Sequence, residues 1–505
     1  MEPYAAEWWS IVPPIVAIGL ALLTKEVFSS LLVGIFTGTL IYAVGTDANI
    51  VMGTLETAFT MMAKKVDFNI LIFCSLLGAL VYLISLSGGT VAYGKASTKV
   101  IRGRRSSLAA TGGLGIAIFI DDYFNCLTVG SVMTPVTDSQ KISRVKLAYL
   151  IDATAAPICM IAPISSWAAA VSGVAAKLDT GVSGIQLFIE AIPYNFYSLL
   201  TIVFVITMVV LGVDYGPMAA AELKAAQTGD LGALSEEQEE GSSRANMWDM
   251  LIPIILLIIF CVIGLIYVGG FWDPETNAGD FIAAFGDTDA FVGLPWGALI
   301  ALVLSIIYLC ARRVITFKGA MGCMTKGFNA MVPAILILTF AVSLKSMTGL
   351  LGAADYVEGL MKQASEGLFM LLPAIIFVVA CLLAFATGTS WGTFGILIPI
   401  VLPIFNAAPD LQIMGISACL AGAVCGDHCS PISDTTIMAS AGANCNHIDH
   451  VSTQIPYAVT VAAICFVNYI LAAFIRNVVI SLAIGVVMVI GTLLVIRSVQ
   501  SRKTA

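Results

Sequence analysis

Residues 95–146 read KASTKVIRGRRSSLAATGGLGIAIFIDDYFNCLTVGSVMTPVTDSQKISRVK. Two basic segments, KASTKVIRGRR (95–105) and KISRVK (141–146), enclose a largely apolar stretch with a polar, glycine-containing centre. In a membrane protein, Lys and Arg in short loops mark the cytoplasmic side. Both ends of 106–140 therefore lie on that side, and the stretch must enter and leave there as a re-entrant hairpin. Residues 367–405, centred on FATGTSWGTFG (385–395), have the same character and read as a second hairpin.

The rest of the chain supports a membrane setting. Of 505 residues, 59% are apolar and 11% charged, against about a quarter charged in a soluble domain. A helix needs about 20 apolar residues to cross a hydrocarbon core of about 30 Å. Such runs occur near 11–23, 27–44, 68–88, 147–175, 195–213, 249–270, 294–311, 329–345, 411–440, 455–474 and 477–497. The fold class is an all-α polytopic membrane protein with about 11 transmembrane helices and two re-entrant hairpins, and its main partner is the lipid bilayer.

The formal net charge of -8 comes largely from two acidic loops, near 235–241 and 271–291, and no basic stripe points to nucleic acid. The first residues, MEPYAAEWWS, lack the positive n-region and small-residue cleavage site of a signal peptide and are expected to remain on the mature protein.

The basic loops near 312–326 and at the C-terminus read as cytoplasmic, and 271–291, without Lys or Arg, as external. Counting from these anchors places the N-terminus outside and the C-terminus inside. The order span, span, span, hairpin, broken span, span then occurs twice with opposite orientation. The expected parts are a first inverted repeat at 1–213, a cytoplasmic linker at 214–248, a second repeat at 249–476, and an extra helix with a cytoplasmic tail at 477–505. Weak echoes accompany the duplication: Asp122 and Ser390 precede Tyr123 and Trp391, and Pro135 and Pro403 follow thirteen positions later. Asp and Pro breaks come next, DATAAP at 152–157 and GDHCSP at 426–431. Inverted repeats with interrupted helices in matching places are a secondary-transporter pattern, with the site at the interruptions.

A central intramembrane Asp costs about 2.5–3.5 kcal/mol on insertion scales. Asp121, Asp122, Asp152 and Asp427 all lie in apolar surroundings with few Lys or Arg near them in sequence, so they read as cavity-facing or cation-binding groups. Asp434, in SPISDTT, reads equally well as a helix cap. Thr387, Thr389, Ser390 and Thr393 add hydroxyls where the second hairpin exposes carbonyls. Hard cations such as sodium take oxygen ligands of this kind, although small residues at such positions also serve close helix packing. An Asp that binds a proton or a sodium ion, but not both, is enough to produce antiport. Trp391, and Trp167 after Ser165 and Ser166, are candidate pocket walls for an organic substrate.

The cluster Cys425, His428, Cys429, Cys445, His447 and His450 holds all three histidines of the chain, but its spacing fits no standard zinc pattern. A membrane-embedded metal hydrolase using it would lack an HExxH-like pairing of ligand and base. No enzyme activity is expected. The other cysteines sit mostly in apolar runs and read as small hydrophobes rather than disulfide partners.

LTKEVFSSLLVGIFTG, FIDDYFNCLTVGSVMTPVTD, ATGTSWGTFGILIPI and CGDHCSPISDTTIMASAGANCNHIDHVSTQIPYA together resemble the NhaC-type sodium/proton antiporter family of the ion transporter superfamily. The resemblance implies exchange of sodium for protons in a bacterial or archaeal cytoplasmic (inner) membrane, on a fold with scaffold and transport domains. Relatives that exchange organic acids or amino acids leave such a substrate open, and a homodimer is implied as in much of the superfamily. Carried over by motif, the ion or substrate positions are Asp122, Asn125, Thr128, Asp152, Thr154, Thr389, Ser390, Thr393, Asp427, Ser430, Ser433 and Asp434. Sodium is expected at Asp122, Asp152, Thr389 and Asp427, as coupling or transported ion and with no further cofactor. His428 is a candidate proton relay.

Overall fold

A computed structural model describes the chain except residues 1–2, 25, 65–67, 120–121, 163–164, 166, 168–170, 172–183, 235–243, 354, 357–368, 405–408 and 505. The described residues are helical, apart from turns and one isolated bridge between Ala233 and Cys445. Six of their helices are long and apolar enough to cross a membrane, and a seventh candidate is Leu411–Cys429 with Asp434–Gly442, bent by 49° at its break. The protein is an integral membrane protein.

Polar residues cap the helix starts. Ser143, Asn195, Thr316, Ser433 and Asn446 each accept a backbone N–H of the first turn, as such residues do where the first amides lack helical partners. The helix Phe317–Leu350 is far longer than the span expected at 329–345.

Each stretch expected as a hairpin holds a pair of helices. In the first, the helix Arg104–Ala117 packs against Asp122–Ser139. Arg104 Nη1 lies 3.4 Å from the Lys141 carbonyl, so the two ends of the hairpin meet at one side. In the second, Leu372–Thr387 ends at Gly388, whose φ of +62° turns the chain into Ser390–Ile404. At 1.5 Å per residue, arms of 14 to 18 residues run about 21–27 Å, short of the about 30 Å core.

Glycines set the hairpins against the broken helices. A side chain at Gly422 or Gly426 would strike the Phe377 or Cys381 carbonyl of the second hairpin, so Pro409–Cys429 and Leu372–Thr387 touch backbone to backbone. Such small-residue spacing lets membrane helices approach closely. Gly130 and Gly442 do the same between the first hairpin and Asp434–Gly442. At Gly388 a Cβ would lie 2.5 Å from the Ile432 carbonyl, which holds the second hairpin's tip on the second break.

The region expected as a plain linker contains a helix, Gly216–Thr228, docked on Arg144–Thr154 and His447–Ile475. Its Glu222 is buried, accepts from Ser143 N at 2.8 Å and pairs with Arg104. Just before it, Asp214 pairs with the buried Lys146 and accepts from Tyr457 Oη at 2.8 Å, while Arg104 lies 3.9 Å away. Arg144 binds both Asp138 oxygens at 2.8 Å and the Ala443 carbonyl at 2.8 Å. Two of the three basic residues read as loop residues, Arg144 and Lys146, are thus buried in helix Arg144–Thr154 and tie elements together.

Two stability outcomes follow from this packing. Gly426→Ala overpacks a backbone seam and should cost about 1–3 kcal/mol. Gly322→Ala, where nothing lies within 4 Å, should be neutral or stabilising in its helix; thermal unfolding of the purified protein compares them. Asp214→Ala strands the Lys146 charge, a change that costs about 3 kcal/mol or more when the remaining partner is buried, and should lower the unfolding temperature and folded yield well beyond a surface change such as Asp230→Ala.

Candidate functional site

The first break interrupts a helix just after Asp152. Arg144–Thr154 ends at Ala155, and Ala156–Cys159 follows with Pro157 in its first turn. Asn125, from the first hairpin, satisfies this region: its Nδ2 donates to the carbonyls of Gly115 (2.7 Å), Ile118 (2.7 Å) and Thr154 (3.2 Å). Thr154 turns its own hydroxyl back to the Leu150 carbonyl at 2.7 Å. The second break lies between Cys429 and Asp434, where Ser433 caps the new helix and Ser430 donates to the Phe385 carbonyl at 2.7 Å. Asp434 is not the cap. It accepts from Thr435 N at 2.9 Å and from Tyr123 Oη of the first hairpin at 2.5 Å.

Asp152 and Asp427 are both buried. Asp427 accepts from Ser390 Oγ at 2.8 Å, which ties the second break to the second hairpin. Asp152 accepts from Gln454 Nε2 at 2.8 Å, and the same amide donates to the His428 carbonyl. His450 Nε2 and His428 Nε2 stand 3.8 and 4.0 Å from Asp152 Oδ2. Asp427 and Asp434 are near enough to Asp152 to interact through their charges. The expected residues therefore converge: both hairpins and both breaks meet, joined by helix His447–Ile475.

The buried side-chain oxygens with no hydrogen-bond partner among the described residues include Asn125 Oδ1, Thr128 Oγ1, Asp152 Oδ1 and Asp427 Oδ1. Unmade bonds of buried polar atoms cost about 1–3 kcal/mol each, and oxygen acceptors of this type are what a hard cation takes. Asp122 is buried at the start of its helix. Asp121 and Ser166 lie outside the described residues.

The histidines are held in a hydrogen-bonded set. Among the described residues no group of three Cys, His, Asp or Glu side chains has metal-holding geometry. His428 Nδ1 faces Tyr197 Oη at 2.8 Å. His447 Nε2 lies 2.8 Å from the Pro431 carbonyl, which only accepts, so that nitrogen carries a hydrogen. The His428 carbonyl fixes the Gln454 nitrogen toward itself, leaving Oε1 to accept from His450 Nε2 at 2.9 Å. Both rings then aim Nδ1 at Ser440 Oγ, 2.9 Å from each. A hydroxyl has one hydrogen, and here it also faces the Thr436 carbonyl at 2.8 Å. With two neutral rings, that one hydrogen faces three acceptors.

Thr389 is placed differently from the expected sodium ligand. Its hydroxyl accepts from Lys345 Nζ at 3.0 Å and Gly392 N at 3.3 Å, and its carbonyl accepts from Thr393. A cation about 4 Å from an ammonium is repelled by about 4 kcal/mol at an effective dielectric of about 20, so this tip is a poor sodium site. Lys345, Gln454 and Tyr197 were not among the residues expected from the sequence, and His450 entered only as part of the Cys and His cluster. Lys345 had a signal: it is the one charge in residues 329–350, and an intramembrane charge marks function by default.

Residues 158–474 match the family model described as Na+/H+ antiporter family. The chain belongs to the Na+/H+ antiporter family. That match takes in Thr389, Asp427 and Gln454 and begins just past Asp152. A Haemophilus influenzae relative, named only as an uncharacterized protein, is 36% identical over 93% of this chain and 92% of its own length. An arginine/ornithine antiporter of Halobacterium salinarum is 26% identical over 46% of this chain and 44% of its own. A malate-2H(+)/Na(+)-lactate antiporter of Bacillus subtilis is 26% identical over 39% and 42%. Family membership and these names make the chain a transporter of the antiporter type.

One bond across the two halves can be weighed alone. Tyr123→Phe removes the donor to Asp434 and should destabilise by about 1–3 kcal/mol, read as a lower unfolding temperature with the helix content unchanged by circular dichroism.

Proposed function

We propose that the protein exchanges sodium for protons by alternating access, with Asp152 and Asp427 as the groups that take one ion or the other. The observation that carries this reading is the surrounding of Asp152. One oxygen is held by Gln454, the other has no hydrogen-bond partner among the described residues, and beside it both His447 and His450 turn Nδ1 toward the single hydroxyl hydrogen of Ser440. A carboxylate so placed can trade a proton for a cation with its neighbours already in position. Asp427, Asn125 and Thr128 supply further oxygens without a hydrogen-bond partner among the described residues.

The finer architecture belongs to this reading too: about eleven spans in two inverted repeats, N-terminus outside and C-terminus inside a bacterial or archaeal cytoplasmic membrane. Each repeat would contribute one hairpin and one broken helix to the site, and the homodimer implied by the resemblance would hold the scaffold.

Purified protein in liposomes, with a pH dye inside and a sodium gradient imposed, tests the exchange. Wild type should move protons against sodium. Asp152→Asn and Asp427→Asn should each lose at least about tenfold of that rate, the loss of a charge-assisted contact of about 1.4 kcal/mol or more, while Asp230→Asn in the exposed loop keeps it. Full exchange by Asp152→Asn would remove the assignment.

A further inference from the structure

The basic base of the first hairpin borders a cavity of about 470 Å³, apart from the residues that converge on Asp152 and Asp427. Arg102, Arg104, Arg105 and Lys146 line it, with Asp214 as the one carboxylate among its lining residues. Lys146 pairs with Asp214, and Arg104 pairs with Glu222 of the docked helix Gly216–Thr228. The cavity thus keeps an excess of positive charge, carried by Arg102 and Arg105, both of them exposed. The Arg105 guanidinium lies over the turn that ends helix Phe196–Leu211: a Cβ on Gly212, whose φ is +65°, would stand 3.3 Å from its Nη2. Helix Val478–Thr504 reaches the same place, where Gln500 Nε2 donates to the Asp214 carbonyl at 2.7 Å, and its last turns bring Arg497, Arg502 and Lys503.

Helix Arg104–Ala117 also starts at this cavity, and no side chain caps it. Gly103 stands at the cap position, and Ser106 turns its hydroxyl back to the carbonyls of Arg102 and Gly103 at 2.6 and 2.8 Å. The helical bonds begin with Ser107 N on the Gly103 carbonyl at 3.2 Å, so the amides of Arg104, Arg105 and Ser106 precede them, in residues that line the cavity. Amides at a helix start and guanidinium forks both suit phosphate oxygens. Leu108, Met208 and Val209 complete the wall, and apolar side chains suit the glycerol and first acyl carbons of a lipid better than a free ion. The cytoplasmic leaflet, which the basic segment 95–105 is read as facing, is the anionic one. We propose that this cavity binds the phosphate of an anionic phospholipid, held by Arg102, Arg105 and the first amides of helix Arg104–Ala117. A headgroup seated there would tie the hairpin that carries Asn125 and Thr128 to the end of helix Phe196–Leu211. The site rests on its own shape and charge, whichever ions the centre exchanges.

Native mass spectrometry of the purified full chain in a neutral detergent tests the site, with dioleoylphosphatidylglycerol and dioleoylphosphatidylcholine offered in parallel. Wild type should retain phosphatidylglycerol at concentrations that leave phosphatidylcholine unbound. Arg102→Gln together with Arg105→Gln should weaken that retention about tenfold through the loss of charge-assisted bonds, while Lys318→Gln, at an exposed lysine of the 312–326 segment, should leave it unchanged. If the double variant does not purify in one folded peak, Arg105→Gln alone should weaken retention severalfold and Arg105→Lys should keep most of it. Equal retention of phosphatidylcholine, retention unchanged by the arginine substitutions, or an equal loss in Lys318→Gln would overturn the proposal. Inorganic phosphate is titrated separately by its effect on the unfolding temperature. A rise with phosphate in wild type that is lost in the double variant, without retention of phosphatidylglycerol, would give the cavity to a free phosphate and overturn the lipid as its occupant.

Discussion

A carboxylate held away from water must be given hydrogen bonds by the protein, and Asp152 takes its bond from Gln454. The amide of Gln454 is shared between Asp152 and the His428 carbonyl, so one side chain joins the first broken helix to the second. Around that amide the rest is arranged: His450 on its oxygen, His428 turned toward Tyr197, and Ser440 between two imidazoles. A continuous helix through the first break would use up the Thr154 carbonyl that Asn125 now satisfies.

The hairpins and breaks were legible because their causes are local. Basic residues flank the first hairpin, Gly388 supplies the left-handed turn of the second, and Pro157 follows the first break. The helix Gly216–Thr228 was missed for a different reason. It is rich in alanine, has Pro217 in its first turn and a left-handed Gly229 at its end, all helix signals, but a search for apolar spans passes over it. Ile50–Lys64 and Gly89–Val100 escaped in the same way.

The site residues divide along the same line. Asp152 and Asp427 announce themselves as charges in apolar runs. Gln454 does not, because a neutral amide carries no such cost in sequence, and its partner is 302 residues away. Lys345 does carry it, but its meaning depends on meeting Thr389, which no spacing along the chain reveals. Thr154, Thr393 and Ser433, expected among the ligands, spend their hydroxyls on nearby groups. In motifs dense with Ser and Thr, type and position alone do not separate a ligand from a helix cap or a back-bonded hydroxyl.

The contact between Leu372–Thr387 and Pro409–Cys429 has a mechanical meaning. Side chains can change rotamer and let two helices slide, but here glycines bring main chain against main chain at Gly422 and Gly426, leaving nothing at those points that can rotate out of the way. The second hairpin cannot flex like a flap on a hinge while its neighbour stands still. Any displacement that opens one face of the protein must carry both segments, and with them Ser390 and Asp427, as a single rigid piece.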